Sequence, residues 1–162
     1  MDKDITRTNQ LRKSRSVEYG IRMFLATGLL FLSLYILGLA EFAELRFFNL
    51  AVILYFSFKL GQMNVERFGG KSYVRNLGSI FAANSINVIL SMFGLLLFDA
   101  AVGFTFLDSA SRGILMVESA SVPQTMIALF LEGMAGAAVV SFITMQFWKG
   151  KKVKTIEDES VS

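Results

Sequence analysis

The chain has 162 residues, the size of a single domain, and 54% of them are hydrophobic with a mean hydropathy of +0.54, which exceeds the usual range for a soluble domain and indicates a membrane protein. It contains no cysteine and no histidine, which removes disulfide frameworks, thiolate nucleophiles, zinc sites of the usual kind and histidine bases, and so argues against an enzyme and against any cofactor or metal. The net charge of +3, with an isoelectric point of about 9.3, would suit nucleic acid if it formed a patch on a soluble fold, but these charges lie between oily segments and point to the membrane surface, not to nucleic acid.

A hydrocarbon core about 30 Å thick takes roughly 20 apolar residues of helix, and four segments supply that length. Residues 1–22 form a basic tail that includes "LRKSRSVEYGIR". The first span, 23–40, follows without a charge. The second, 45–62, is the least apolar, because "FFNLAVILYFSF" runs into Lys59; a lysine near a helix end extends its stem to the interface, so the span is kept. The third, 76–98, is uncharged. The fourth, 122–148, has Pro123 in its first turn, where a missing N–H costs least, and its only charge is Glu132. Between the last two spans, 99–121 holds the acids Asp99, Asp108 and Glu118, the groups that an outer metal would need, and residues 149–162 form a second tail that ends in the acidic "TIEDESVS". A basic start, an apolar run and Gly38 and Ala40 before Glu41 also have the form of a secretory signal; the length of the apolar run and of the tail before it favours a retained helix.

The basic residues test this division independently, since cytoplasmic loops carry the excess of lysine and arginine. With four spans, all but Arg46 and Arg112 of the 16 basic residues fall on one side. The expectation is an all-α, polytopic four-transmembrane-helix bundle in the inner membrane with both termini cytoplasmic. On that side Arg12, Lys13, Arg15, Arg22, Lys71 and Arg75 would face the headgroups of an anionic leaflet, where each basic group contributes about 1 kcal/mol. Gly70, Lys71 and Ser72 also match the end of a phosphate loop, but Val65 stands where its first glycine belongs and no strand precedes it, so the stretch is read as a flexible turn.

Two features place polar groups inside the membrane. In the third span Asn84, Asn87, Ser91 and Gly94 recur at spacings of three and four, within an arc of roughly 80° on a helix. Such a stripe avoids lipid and predicts a helix interface. In the fourth span, "ALFLEGMAGAAVVSF" puts Glu132 about 5 Å from the midplane, level with Asn87 and Ser91 of an antiparallel neighbour. Ionising it there would cost a few kcal/mol, which predicts a neutral, hydrogen-bonded acid. The face with Thr125, Ala128, Ala135 and Gly136 is the expected packing surface, with Gly133, Ala137 and Ser141 as a second close-packing edge.

The run "NVERFGGKSYVRNLGSIFAANSINVILSMFGLLLF", together with the order of spans around its basic turn, resembles a family of small bacterial four-helix membrane proteins of unknown function, which implies the fold and no activity. The plan is similar as well to small subunits of multi-part transporters. In small proton-coupled multidrug exporters the membrane acid belongs to the first span, which here has none. The expected function is therefore a non-enzymatic structural or accessory subunit with the lipid bilayer and a membrane protein or a second copy as partners. The alternative is a small oligomeric proton-linked transporter or channel that uses Glu132.

Overall fold

The computed structural model describes residues 2–39, 46–68, 73–103 and 122–149, and among them the chain is all-α. Four helices follow in order: α1 Asp2–Ile36, α2 Arg46–Phe68, α3 Tyr73–Ala101 and α4 Val122–Trp148. The 69–72 turn with Lys71, the 104–121 segment with Asp108 and Glu118, and the 150–162 tail lie outside the described residues.

The first helix departs from the sequence reading at both ends. Its 35 residues span about 52 Å and take in nearly all of the stretch expected as a tail. Glycine and proline are absent from 2–19, and Arg12, Ser16, Tyr19 and Met23, spaced by four, three and four, are buried along one seam; tertiary packing therefore draws the polar stretch into the helix. The other end stops short of Ala40. Gly38 has φ +70°, its N–H donates to Tyr35 O at 3.0 Å, and the Leu39 N–H donates to Leu34 O at 2.8 Å. This is a Schellman cap, for which glycine is suited because the left-handed conformation carries no Cβ penalty.

Among the described residues three helical segments are long and apolar enough to cross a membrane: Gln10–Ile36, Tyr73–Ala101 and Pro123–Trp148. The sequence reading expected four. The 23 residues of α2 span about 34 Å, but Asn49, Ser57, Lys59, Gln62, Asn64 and Glu66 dilute its apolar character.

Side-chain pairs fix the course of the helices. Ser16 meets Ser79 and Thr27 meets Asn87, so α1 and α3 run parallel. Ser57 meets Asn84 and Asn64 meets Ser79, so α2 runs against them; Ser141 at Asn84 and Gly133 at Val88 set α4 antiparallel to α3. Both α1 and α4 pack on α2 and α3, which also pack on each other. Glycine allows the tightest approach: a Cβ on Gly20 would lie 2.8 Å from Ala83 O of α3.

The apolar core is small, with Tyr19, Met23, Leu60, Ile80, Ala83 and Met145 at its centre. Buried polar side chains run through the rest of the interior, including Asn64, Asn76, Asn84 and Asn87, whereas Ile36 and Leu97 are 82% and 73% exposed. A soluble bundle hides such residues. Polar groups inside and large apolar groups outside fit a bundle surrounded by hydrocarbon.

Candidate functional site

The polar interior consists of separate hydrogen-bonded layers. In the layer nearest the N-terminus of α1, Asn64 Nδ2 donates to Ser79 Oγ at 3.0 Å, Ser79 and Ser16 share a hydrogen bond at 2.8 Å, and Ser16 Oγ donates to Arg12 O at 3.1 Å. The directions are consistent if Ser79 donates to Ser16, so one chain of donors ties α2, α3 and α1 together. The next layer repeats the device with other helices. Ser57 Oγ donates to Asn84 Oδ1 at 3.0 Å, Asn84 Nδ2 to Ser141 Oγ at 3.0 Å, and Ser141 Oγ to Ala137 O at 2.6 Å. The central amide of Asn84, 1% exposed, thus links three helices and is held at both ends. Hydrogen-bonded layers of this kind favour one packing, since a slip strands further buried polar groups, although Asn64 Oδ1 is itself buried without a partner among the described residues.

Asn87 occupies a looser position. Its Oδ1 lies 3.5 Å from both Thr27 Oγ1 and Ser91 Oγ, at the limit for a hydrogen bond, and Thr27 Oγ1 donates to Met23 O at 2.9 Å. Leu60 and Ile80, both 0% exposed, come between the Ser79 and Asn84 levels of the seam. The described interior therefore holds short closed chains of donors.

Glu132 stands outside this system. Gly133 packs at Val88, so the acid is near the expected depth, but its side chain is exposed on the outer surface of α4. Gly133, Ala137, Ser141 and Thr144 form the packed side, while Ala135 and Gly136 are exposed beside Glu132. The edge expected as secondary packs, whereas of the face expected as primary Thr125 is buried, Ala128 half-buried, and Ala135 and Gly136 exposed. At 100° per residue, Ser141 lies on the opposite side of the helix from Glu132. The structure thus joins Asn84 to Ser141 and Asn87 to Ser91, and leaves the side chain of Glu132 on the exposed side of α4.

The expected headgroup residues also separate. Lys13, Arg22 and Arg75 are exposed, Arg15 is half-buried, and Arg12 is buried. Arg22 forms an ion pair with Glu18 at 2.6 Å. Sequence reasoning missed Ser16, Ser57, Asn64, Ser79 and Ser141 as members of the polar interior. The signal was present, since Asn76, Ser79, Ala83, Asn87 and Ser91 continue one small and polar seam along α3 at spacings of three and four. Among the described residues no group of three or more acids could hold a metal.

No family model, curated protein or solved structure matches the chain.

Proposed function

We propose that the chain is an integral membrane protein with four crossing helices, both termini on the cytoplasmic side of the inner membrane, and that it acts as a non-enzymatic accessory subunit that docks a partner's transmembrane helix on the outer face of α4. The parallel course of α1 and α3 supports α2 as the fourth crossing, because two parallel spans need a segment that returns between them.

The observation that carries the docking reading is the exposure of Glu132, Ala135 and Gly136 together. A carboxyl left facing hydrocarbon costs a few kcal/mol. A neighbouring helix with a hydrogen-bond donor removes that cost, and alanine and glycine let its backbone come close.

The test is purification from native membranes in mild detergent with mass spectrometry of what remains bound. The expected result is a stoichiometric membrane protein that is retained by Glu132→Gln and lost from Glu132→Leu and Gly136→Leu. Equal retention by Glu132→Leu would overturn the reading. Self-association through α4, combined with pH-jump proton flux in proteoliposomes that Glu132→Gln abolishes, would replace it with the oligomeric transporter.

A further inference from the structure

The side of α1 that faces out of the bundle carries a regular stripe. Glu18, Arg22, Leu25, Leu29, Leu32 and Ile36 recur at spacings of four and three, the heptad seam of paired helices, and every one of them is exposed. Arg12, Ser16, Tyr19 and Met23, on another side of the same helix, are the residues that pack inside. Because α1 and α4 each pack on both α2 and α3, the stripe and the Glu132 face belong to opposite corners of the bundle.

The two charges of the stripe stand at membrane depth. Gly20, between them, packs on Ala83 and Ile86 of α3, within about 6 Å along the helix of Asn87, the middle of the candidate span Tyr73–Ala101. Glu18 and Arg22 form an ion pair at 2.6 Å with side chains 51% and 54% exposed. Pairing cancels the net charge, yet it leaves both groups on the outer surface, and an ionised side chain facing hydrocarbon is costly. The partners that Arg22 has among the described residues, Glu18 and the Tyr19 ring at 5.5 Å, both belong to α1 itself.

We propose that this face of α1 is a dimer interface and that its occupant is a second copy of the chain. Copies inserted in one orientation bring their α1 helices together in parallel and in register, about a two-fold axis along the membrane normal. Each stripe residue then enters a hole made by four residues of the facing helix, so Glu18 meets Arg22 of the second copy and Arg22 meets its Glu18. The four charges compensate one another away from lipid, and the leucines that follow interdigitate. Charge complementarity selects a copy over lipid, since hydrocarbon tails offer the ion pair no counterpart. The outer face of α4 stays free, so the dimer does not depend on the partner proposed for it.

The chain has no cysteine, so single substitutions in the full chain report proximity in cell membranes through oxidative cross-linking. Leu25→Cys, Leu29→Cys and Leu32→Cys should each give a disulfide-linked dimer. Val17→Cys, exposed on α1 but about 100° from the stripe, should give at least about tenfold less, because its Cβ atoms stay too far apart to be bridged. In the Leu25→Cys background, Glu18→Arg makes the charged part of the stripe wholly basic and Arg22→Glu makes it wholly acidic. Each reversal should weaken dimerisation by at least about tenfold, since like charges then face each other, and co-expression of the two should restore it to within about threefold of the parent. The cross-links of the unreversed stripe decide the matter if the reversals fail to insert. Equal yields from Val17→Cys and Leu25→Cys would overturn the proposal, as would retention of the dimer by both reversals. So would a dimer linked only through Val139→Cys, exposed on the Glu132 face of α4, or capture of a different protein by Leu25→Cys in place of the copy.

Discussion

At the scale of single residues, Asn84 holds the bundle together most directly, because one amide bonds to both Ser57 and Ser141. Leucine has a similar volume but neither polar atom, so Asn84→Leu takes the acceptor from Ser57 and a donor from Ser141, which keeps its bond to Ala137 O. Hydrogen bonds within membranes average about 0.6 kcal/mol, and a stranded buried group costs about 1–3 kcal/mol. The expected loss is about 1–3 kcal/mol in thermal or denaturant unfolding in detergent. Ser57→Ala alone should cost about 1 kcal/mol, and the double variant should lose less than the sum because the partners are removed together. Strict additivity would mean that the bond contributes nothing. Glu132→Gln combined with Asn84→Leu should, in contrast, be additive within about 0.5 kcal/mol, since Glu132 lies on the outer side of α4.

At the scale of elements, the contrast between Gly20 and Gly28 shows how closely α1 is fitted to α3. A Cβ on Gly20 meets Ala83 O and Ile86 Cβ, both at 2.8 Å, while one on Gly28 meets nothing within 4 Å. Gly20→Ala therefore forces backbone from backbone and should destabilise by about 1–3 kcal/mol. Gly28→Ala, in the same helix, should stabilise by up to about 1 kcal/mol through helix propensity. Unfolding of the two variants side by side checks the opposite signs. Element positions were legible because long apolar runs and Pro123 mark α3 and α4 in the sequence. The rotation of α4 was not. It bears small residues on both sides, with Ala128, Ala135 and Gly136 near Glu132 and Gly133, Ala137 and Ser141 across from them. Periodicity alone does not choose between such faces; the bond from Asn84 to Ser141 does. The start of α1 was hidden for a related reason, since the burial of Arg12 and Ser16 depends on α3 and leaves little trace in local hydropathy.

At the scale of the whole molecule, the pairing of helices and the distribution of charge bear on one question, the path of the chain through the bilayer. If α2 failed to cross, α1 and α3 could not both cross in the same direction, yet Ser16 with Ser79 and Thr27 with Asn87 set them parallel. The polar groups that lower the hydropathy of α2 are partly accounted for inside the bundle, where Ser57 and Asn64 are 0% exposed and bonded to α3. An exposed Lys59 lies 5.8 Å from the Tyr55 ring centre, and its long stem allows the ammonium to reach the interface. On the proposed four-span path all but Arg46 and Arg112 of the basic residues would fall on the side of the termini, which predicts the orientation of the chain. Reporters fused after Lys154 and within the 69–72 turn should therefore both read cytoplasmic, and one at Ser109 should read external. A Ser109 reporter on the same side as the Lys154 reporter would remove α4 as a crossing. If the 69–72 reporter instead lies opposite the N-terminus, α2 does not cross, and the parallel pairing of α1 with α3 cannot persist in the membrane.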